Sequence, residues 1–124
     1  MKKIILTLVF SVFLISSINY VFAQQIEYPL AVLETNQGEI IIEFFFSDAP
    51  KHSENFILLS KIGYYDGTLF HRIIPGFMIQ GGDPNSINGD PNNWGTGGPD
   101  EKLDAEFNDI KHNRGIVSMA RSAD

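Results

Sequence analysis

The stretch FHRIIPGFMIQGGD, residues 70–83, sets one arginine, Arg72, inside an apolar run, with Pro75-Gly76 and a glutamine, Gln80, close behind. Side chains alternate between faces along a strand, so Phe70, Arg72 and Ile74 share one face before the bend, and Met78 and Gln80 share one after it. If Pro75-Gly76 lays the two segments side by side, Arg72, Met78 and Gln80 converge, with Phe77 at the corner. The product is a shallow apolar patch carrying a cation and an amide at its rim. The plain alternative is an ordinary hairpin whose arginine snorkels into water, and spacing alone leaves both open.

Working outward, residues 31–45 read as two strands joined across Asn36-Gln37-Gly38, the turn chemistry of a hairpin. Glu39, Ile41 and Glu43 fall on a wet face, and Ile40, Ile42 and Phe44 on a buried one. Ser47-Asp48-Ala49-Pro50 predicts a helix start with an oxygen-bearing cap and a proline in the first turn, where its missing N–H costs nothing. His52, Asn55, Phe56 and Leu59 keep helical spacing, and Gly63 supplies the stop. Residues 68–74 have strand composition. Residues 82–99, rich in Gly, Pro, Asn and Asp, read as a long surface loop, and such loops tend to be functional. Residues 103–107 and 115–120 read as further short strands. Strands with a single helix point to an antiparallel barrel or sandwich.

The chain has 124 residues, no cysteine and a formal net charge of −6. Lys2 and Lys3, an apolar run over residues 4–15 and Val21-Phe22-Ala23 together read as a signal peptide over residues 1–23, leaving one domain over residues 24–124. The rival is a transmembrane anchor, since residues 4–23 just reach a spanning length; Ser11, Ser16, Ser17 and Asn19 dilute that run and favour cleavage. The cleaved product is expected in the periplasm, or secreted where there is no outer membrane, without stable membrane insertion. Without Lys2 and Lys3, 7 basic residues face 15 acidic ones, which repels phosphate backbones and excludes nucleic acid as a natural partner. With no thiol, neither a disulfide nor a cysteine nucleophile is available.

The remaining chemistry-bearing residues point to no cofactor and no metal. His52, His71 and His112 lack ligand spacing and read as structural. Asp90 to Glu101 has the length of a calcium loop with Gly95 at its sixth position, yet Trp94 sits at a ligand position, Gly97 replaces the anchoring apolar residue, and the flanks are not helical. Ser118 lacks the flanking glycines of a hydrolase nucleophile elbow.

Taken together, FHRIIPGFMIQGGD, GTGG (residues 95–98), AEF (residues 105–107) and GIVSMAR (residues 115–121) resemble the cyclophilin family of peptidyl-prolyl cis-trans isomerases, in its bacterial exported branch. The resemblance implies a mainly β fold, an eight-stranded antiparallel barrel capped by two helices, with the groove on its outer surface. It matches Arg72 to the catalytic arginine, Phe77 and Met78 to the floor of the proline pocket, and Gln80 to the amide that holds the substrate backbone. Ala120 matches a small residue along the groove, and Gly95, Thr96, Gly97 and Gly98 the loop beside it. Implied partners are proline-containing peptides and folding exported proteins met by a monomer, with cyclosporin-type ligands as a further class. The remaining pocket phenylalanine, the groove aromatic, a histidine and the closing strands are expected in a segment after Asp124, so the barrel is expected to be incomplete in this chain. A module that binds proline peptides with little turnover is the second expectation.

Overall fold

The computed structural model of the protein describes residues 29–121; the expected signal peptide lies outside them. Strands β1 (Leu30–Thr35) and β2 (Gly38–Glu43) form the first hairpin, in register from Leu30 opposite Glu43 to Thr35 opposite Gly38. Thr35 locks the turn, its Oγ1 donating to Gly38 O at 2.7 Å and accepting from Gln37 N at 3.1 Å. Of the face expected to be buried, Ile42 is, at 9 % exposed beside Ile41 at 63 %, whereas Ile40 is not, at 37 %.

Helix α1 (Pro50–Lys61) follows, with proline at its start as expected. Its last turn closes through Gly63 N to Ser60 O and Tyr64 N to Leu59 O, with Gly63 at φ 72°, the left-handed stop that glycine takes without penalty. Ile42 and Leu59 are the buried apolar residues among those described. Around them runs an aromatic chain: Phe46 meets Phe44 at 5.9 Å, Phe44 meets Phe56 at 5.7 Å, Phe56 stacks on Tyr65 at 4.9 Å, and Tyr65 meets Tyr64 edge-on at 5.3 Å. Offset and edge contacts of this kind add to simple burial. They tie the segment that follows β2 to α1 and to the loop after it.

A second hairpin pairs β3 (Arg72–Ile74) with β4 (Met78–Gln80), then a four-residue helix α2 (Asn85–Asn88) and a 3-10 turn (Pro91–Asn93) complete the order. Among the described residues there are thus short antiparallel strands in two separate two-stranded sheets, and a closed eight-stranded barrel is not shown. No helix among them is long and apolar enough to cross a membrane.

Four expectations need correction. The strand expected over residues 68–74 contracts to β3, because Thr68 Oγ1 bonds back to Tyr65 O at 2.7 Å and holds the start in a turn. The loop over residues 82–99 contains α2 and the 3-10 turn, too short to leave a periodic signal. Residues 103–107 and 115–120 form no strand, since no neighbouring strand among the described residues offers them a ladder.

The helix cap is the fourth. Ala49, not Ser47 or Asp48, occupies the cap position with no side-chain bond, while Ser47 Oγ donates to Asp48 Oδ2 at 2.9 Å. The acceptors come from far along the chain: Lys51 N donates to Glu106 Oε1 at 3.1 Å, and His52 N to Glu106 Oε2 at 2.9 Å. The exposed N–H groups of a first helical turn favour an anion there, so one carboxylate answers two orphan donors. Burial pushes the Glu106 carboxyl up, but the N–H groups of His52 and Lys51, aided by the charges of those residues, outweigh it and hold it below its ordinary range. A depressed carboxyl stabilises the fold above its unfolded pKa, about 4.3 for Glu, and that contribution is lost as pH falls through the lower folded value. Glu106→Gln should therefore lower the melting temperature at pH 7 and flatten the acid loss of stability, both read from helical circular dichroism; equal melting of the two proteins would rule out the staple.

Candidate active site

The β3–β4 hairpin is built by its turn. Phe77 N donates to Ile74 O at 3.0 Å, with Pro75 first in the bend and Gly76 second at φ 74°. That sign pattern is a type II turn, in which proline presets the first central residue and glycine accepts the left-handed second. The register then follows: Arg72 faces Gln80, Ile73 faces Ile79, and Ile74 faces Met78. Directly opposed residues share a face, so Arg72, Ile74, Met78 and Gln80 line one side. Arg72 Nη1 donates to Gln80 Oε1 at 3.4 Å, a long bond that leaves most of the guanidinium's donors available.

Beside this pair lies an open cavity of 380 Å³ lined by His71, Arg72, Gln80, Pro91, Trp94 and Gly95. The hairpin supplies its polar wall and the 82–99 loop its apolar one. Trp94 is held there by Nε1 donating to Gly89 O at 3.3 Å, at the end of the 3-10 turn. Asp90 starts that turn, its Oδ1 accepting from Asn92 N and Nδ2 at 2.9 Å each, a local cap.

A buried carboxylate ties loop to hairpin. Asp83 is 4 % exposed; Oδ1 accepts from Asn85 N at 2.8 Å and Oδ2 accepts from Gly95 N. Burial pushes the Asp83 carboxyl up, but the nearby backbone N–H groups of Asn85, Gly95 and Gly97 and the neighbouring His71 outweigh it and hold its pKa below the ordinary value. Ser86, 2 % exposed, donates to Asp83 O at 2.5 Å and accepts from Leu69 N at 2.9 Å, joining the same knot to the segment that leads into β3. The two ring nitrogens of His71 are buried without a hydrogen-bond partner.

The structure brings together Arg72, Gln80 and Met78 on one face, as the alternation implies. Phe77 stands at the corner, 78 % exposed, and is not among the residues lining the cavity. Gly97 packs against Asp83 and Asn85, whereas a Cβ on Gly98 would meet nothing within 4 Å. Ala120 lies exposed in an irregular segment. Sequence reasoning missed Asp83, Pro91 and Trp94 as parts of the site. Trp94, the lone large aromatic of a polar loop, was the signal that could have found the wall; nothing local marks Asp83 as buried.

Arg72 and Gln80 thus stand side by side on one wall of an open cavity, a cation and an amide presented together to whatever enters it. The family model for cyclophilin type peptidyl-prolyl cis-trans isomerases matches residues 30–124, and the chain belongs to that family. It is 49 % identical over 92 residues to a peptidyl-prolyl cis-trans isomerase of Synechococcus elongatus, covering 74 % of this chain and 59 % of that protein. It is 51 % identical over 92 residues to peptidyl-prolyl cis-trans isomerase CYP18-1 of Arabidopsis thaliana, covering 73 % and 55 %. A peptidyl-prolyl cis-trans isomerase of Helicobacter pylori is 44 % identical over 94 residues, covering 74 % and 54 %. The chain thus spans a little over half the length of these relatives. No solved structure matches it significantly.

Since a Cβ on Gly76 would meet nothing within 4 Å, any penalty for Gly76→Ala is one of backbone conformation alone. The variant should lose about 1–2 kcal/mol in denaturant unfolding, with Gly76→Asn losing less. A neutral Gly76→Ala would show that the turn does not constrain the Arg72–Gln80 register.

Proposed function

We propose that the chain carries part of a peptidyl-prolyl cis-trans isomerase that accelerates X–Pro bond rotation in exported proteins as they fold. Family membership supports the reaction class. The observation that carries the site is the pairing of Arg72 with Gln80 on directly opposed positions of a rigid hairpin, beside an open cavity.

The reaction needs no nucleophile, because no bond to the protein forms. An amide rotates over a barrier of about 18–20 kcal/mol set by its resonance, and X–Pro exchange left alone takes tens of seconds or more. In the twisted state the prolyl nitrogen becomes pyramidal and regains a lone pair. A guanidinium N–H aimed at that nitrogen bonds the twisted form better than the planar one, and only such differential binding speeds the step. On this reading Arg72 is the donor. Its long bond to Gln80 is weak enough to yield when substrate arrives, and the freed Gln80 amide then holds the neighbouring backbone while Met78 and Phe77 contact the pyrrolidine ring. One side of the bond turns against a held partner. The substrates would be extended proline-containing segments of clients in the periplasm, or outside the cell where there is no outer membrane, reached by export through residues 1–23.

A proline-peptide binding module with little turnover is the second reading, favoured by one observation: Phe77 stands 78 % exposed, outside the residues that line the cavity. Arg72→Ala separates the two. Isomerisation of a proline tetrapeptide, followed by exchange spectroscopy, should drop about 10²–10³-fold with peptide affinity nearly kept. Arg72→Lys should recover little, because an ammonium lacks the planar fork. Undiminished exchange in folded Arg72→Ala would sink the role given to Arg72.

A further inference from the structure

We propose that Asp83 is a positioning residue of this site: its buried carboxylate latches the loop that carries Trp94 and Gly95 onto the segment that carries His71 and Arg72. The latch rests on geometry; its kinetic consequence rests on the isomerase reading above.

The connections run in one chain. Leu69, which leads into β3, donates its N–H to Ser86 Oγ, and Ser86 Oγ donates to Asp83 O. The Asp83 carboxylate then takes the N–H groups of Asn85 and Gly95. Asn85 adds a side-chain bond to Thr96 Oγ1 at 3.2 Å, closing the loop on itself. Gly95 lines the cavity and follows Trp94 directly, so the grip on its N–H sets where the indole stands.

The chemistry calls for a carboxylate in particular. An ionised Asp is acceptor-only, and here each oxygen meets an N–H; an amide of the same shape would turn an NH2 group toward one of them. Gly97 is part of the same fit, because a Cβ there would collide with Asp83 Oδ1 and press on the Asn85 side chain. Glycine at 97 and aspartate at 83 are therefore one device seen from its two sides.

Arg72 and Gln80 are held by their own ladder and turn, independently of Asp83. Opening the latch should move the wall of Trp94 and Gly95 and leave the donor in place. Loss of a wall weakens ground and transition states alike, which raises KM and spares kcat. A misplaced wall of this kind is worth about ten- to hundredfold.

Trp94 is the only tryptophan in the sequence and reports its own position. Asp83→Asn and Gly97→Ala should each shift Trp94 emission in the free protein and raise KM for a proline tetrapeptide about tenfold, with kcat within about twofold. Retained far-ultraviolet circular dichroism would establish that each variant is folded. Arg72→Ala, in the same assay, should lower kcat and leave the emission of the free protein unchanged. Unaltered emission or unaltered KM in folded Gly97→Ala overturns the latch, as does a fall in kcat that matches the fall in kcat/KM. If Asp83→Asn does not fold, Gly97→Ala decides on the same criteria. Absence of isomerisation in the unaltered protein counts against the isomerase reading and not the latch; the Kd of the tetrapeptide, titrated by Trp94 emission, then replaces KM with the same expected rise.

Discussion

The arrangement of the site depends on a negative charge with almost no access to water. Asp83 is among five described residues that are buried, and three of those five are polar. A carboxylate in such a place is ordinarily costly, and it remains charged only when hydrogen bonds replace its hydration. Backbone N–H groups do so here, which is why the acid is held below its ordinary pKa despite its burial. The exchange works in both directions. The loop's N–H groups would themselves be orphans in a segment with little ladder of its own, and the carboxylate answers them.

Glu106 repeats the strategy at the start of α1. It joins an irregular segment to the start of α1, across 54 and 55 residues of sequence. Asp83 reaches 12 residues to Gly95. In both cases an acid gathers the amides of a distant turn, so two of the chain's many acidic residues act as connectors between segments that share few apolar contacts. An acidic composition read from sequence suggests only a solvated surface; part of it is interior structure.

How much was legible depended on whether the cause was local. Pro75-Gly76 and Asn36-Gln37-Gly38 carry their turns in their own backbone preferences, and once the bend is granted, period-2 alternation places Arg72 opposite Gln80. The start and stop of α1 were also local, in Pro50 and Gly63. Its true cap was not, because nothing around Glu106 announces that its partners are Lys51 and His52. Residues 103–107 and 115–120 fail as strands for a related reason: composition offers a strand, but pairing is a property of two segments. In the 82–99 loop, Gly and Asn read only as surface-loop composition, whereas Gly97 is small because Asp83 leaves no room for a Cβ.

The same geometry bears on why an exposed arginine would serve catalysis at all. A guanidinium in open water is hydrated, and a hydrogen bond it offers to a prolyl nitrogen must displace that hydration for little net gain. The bond gains strength only where water is excluded. Arg72 cannot provide that exclusion from a two-stranded hairpin whose reverse face bears the exposed Ile73 and Ile79. On the proposed reading, the bound proline segment itself covers the guanidinium and displaces its water, and the wall of Pro91, Trp94 and Gly95 serves to bind that segment. The donor and the wall lie on different segments, and the buried knot of Asp83 and Ser86 joins them. On that reading the donor and the wall that binds the segment are separable parts, and Asp83 would act on affinity without touching the reacting bond.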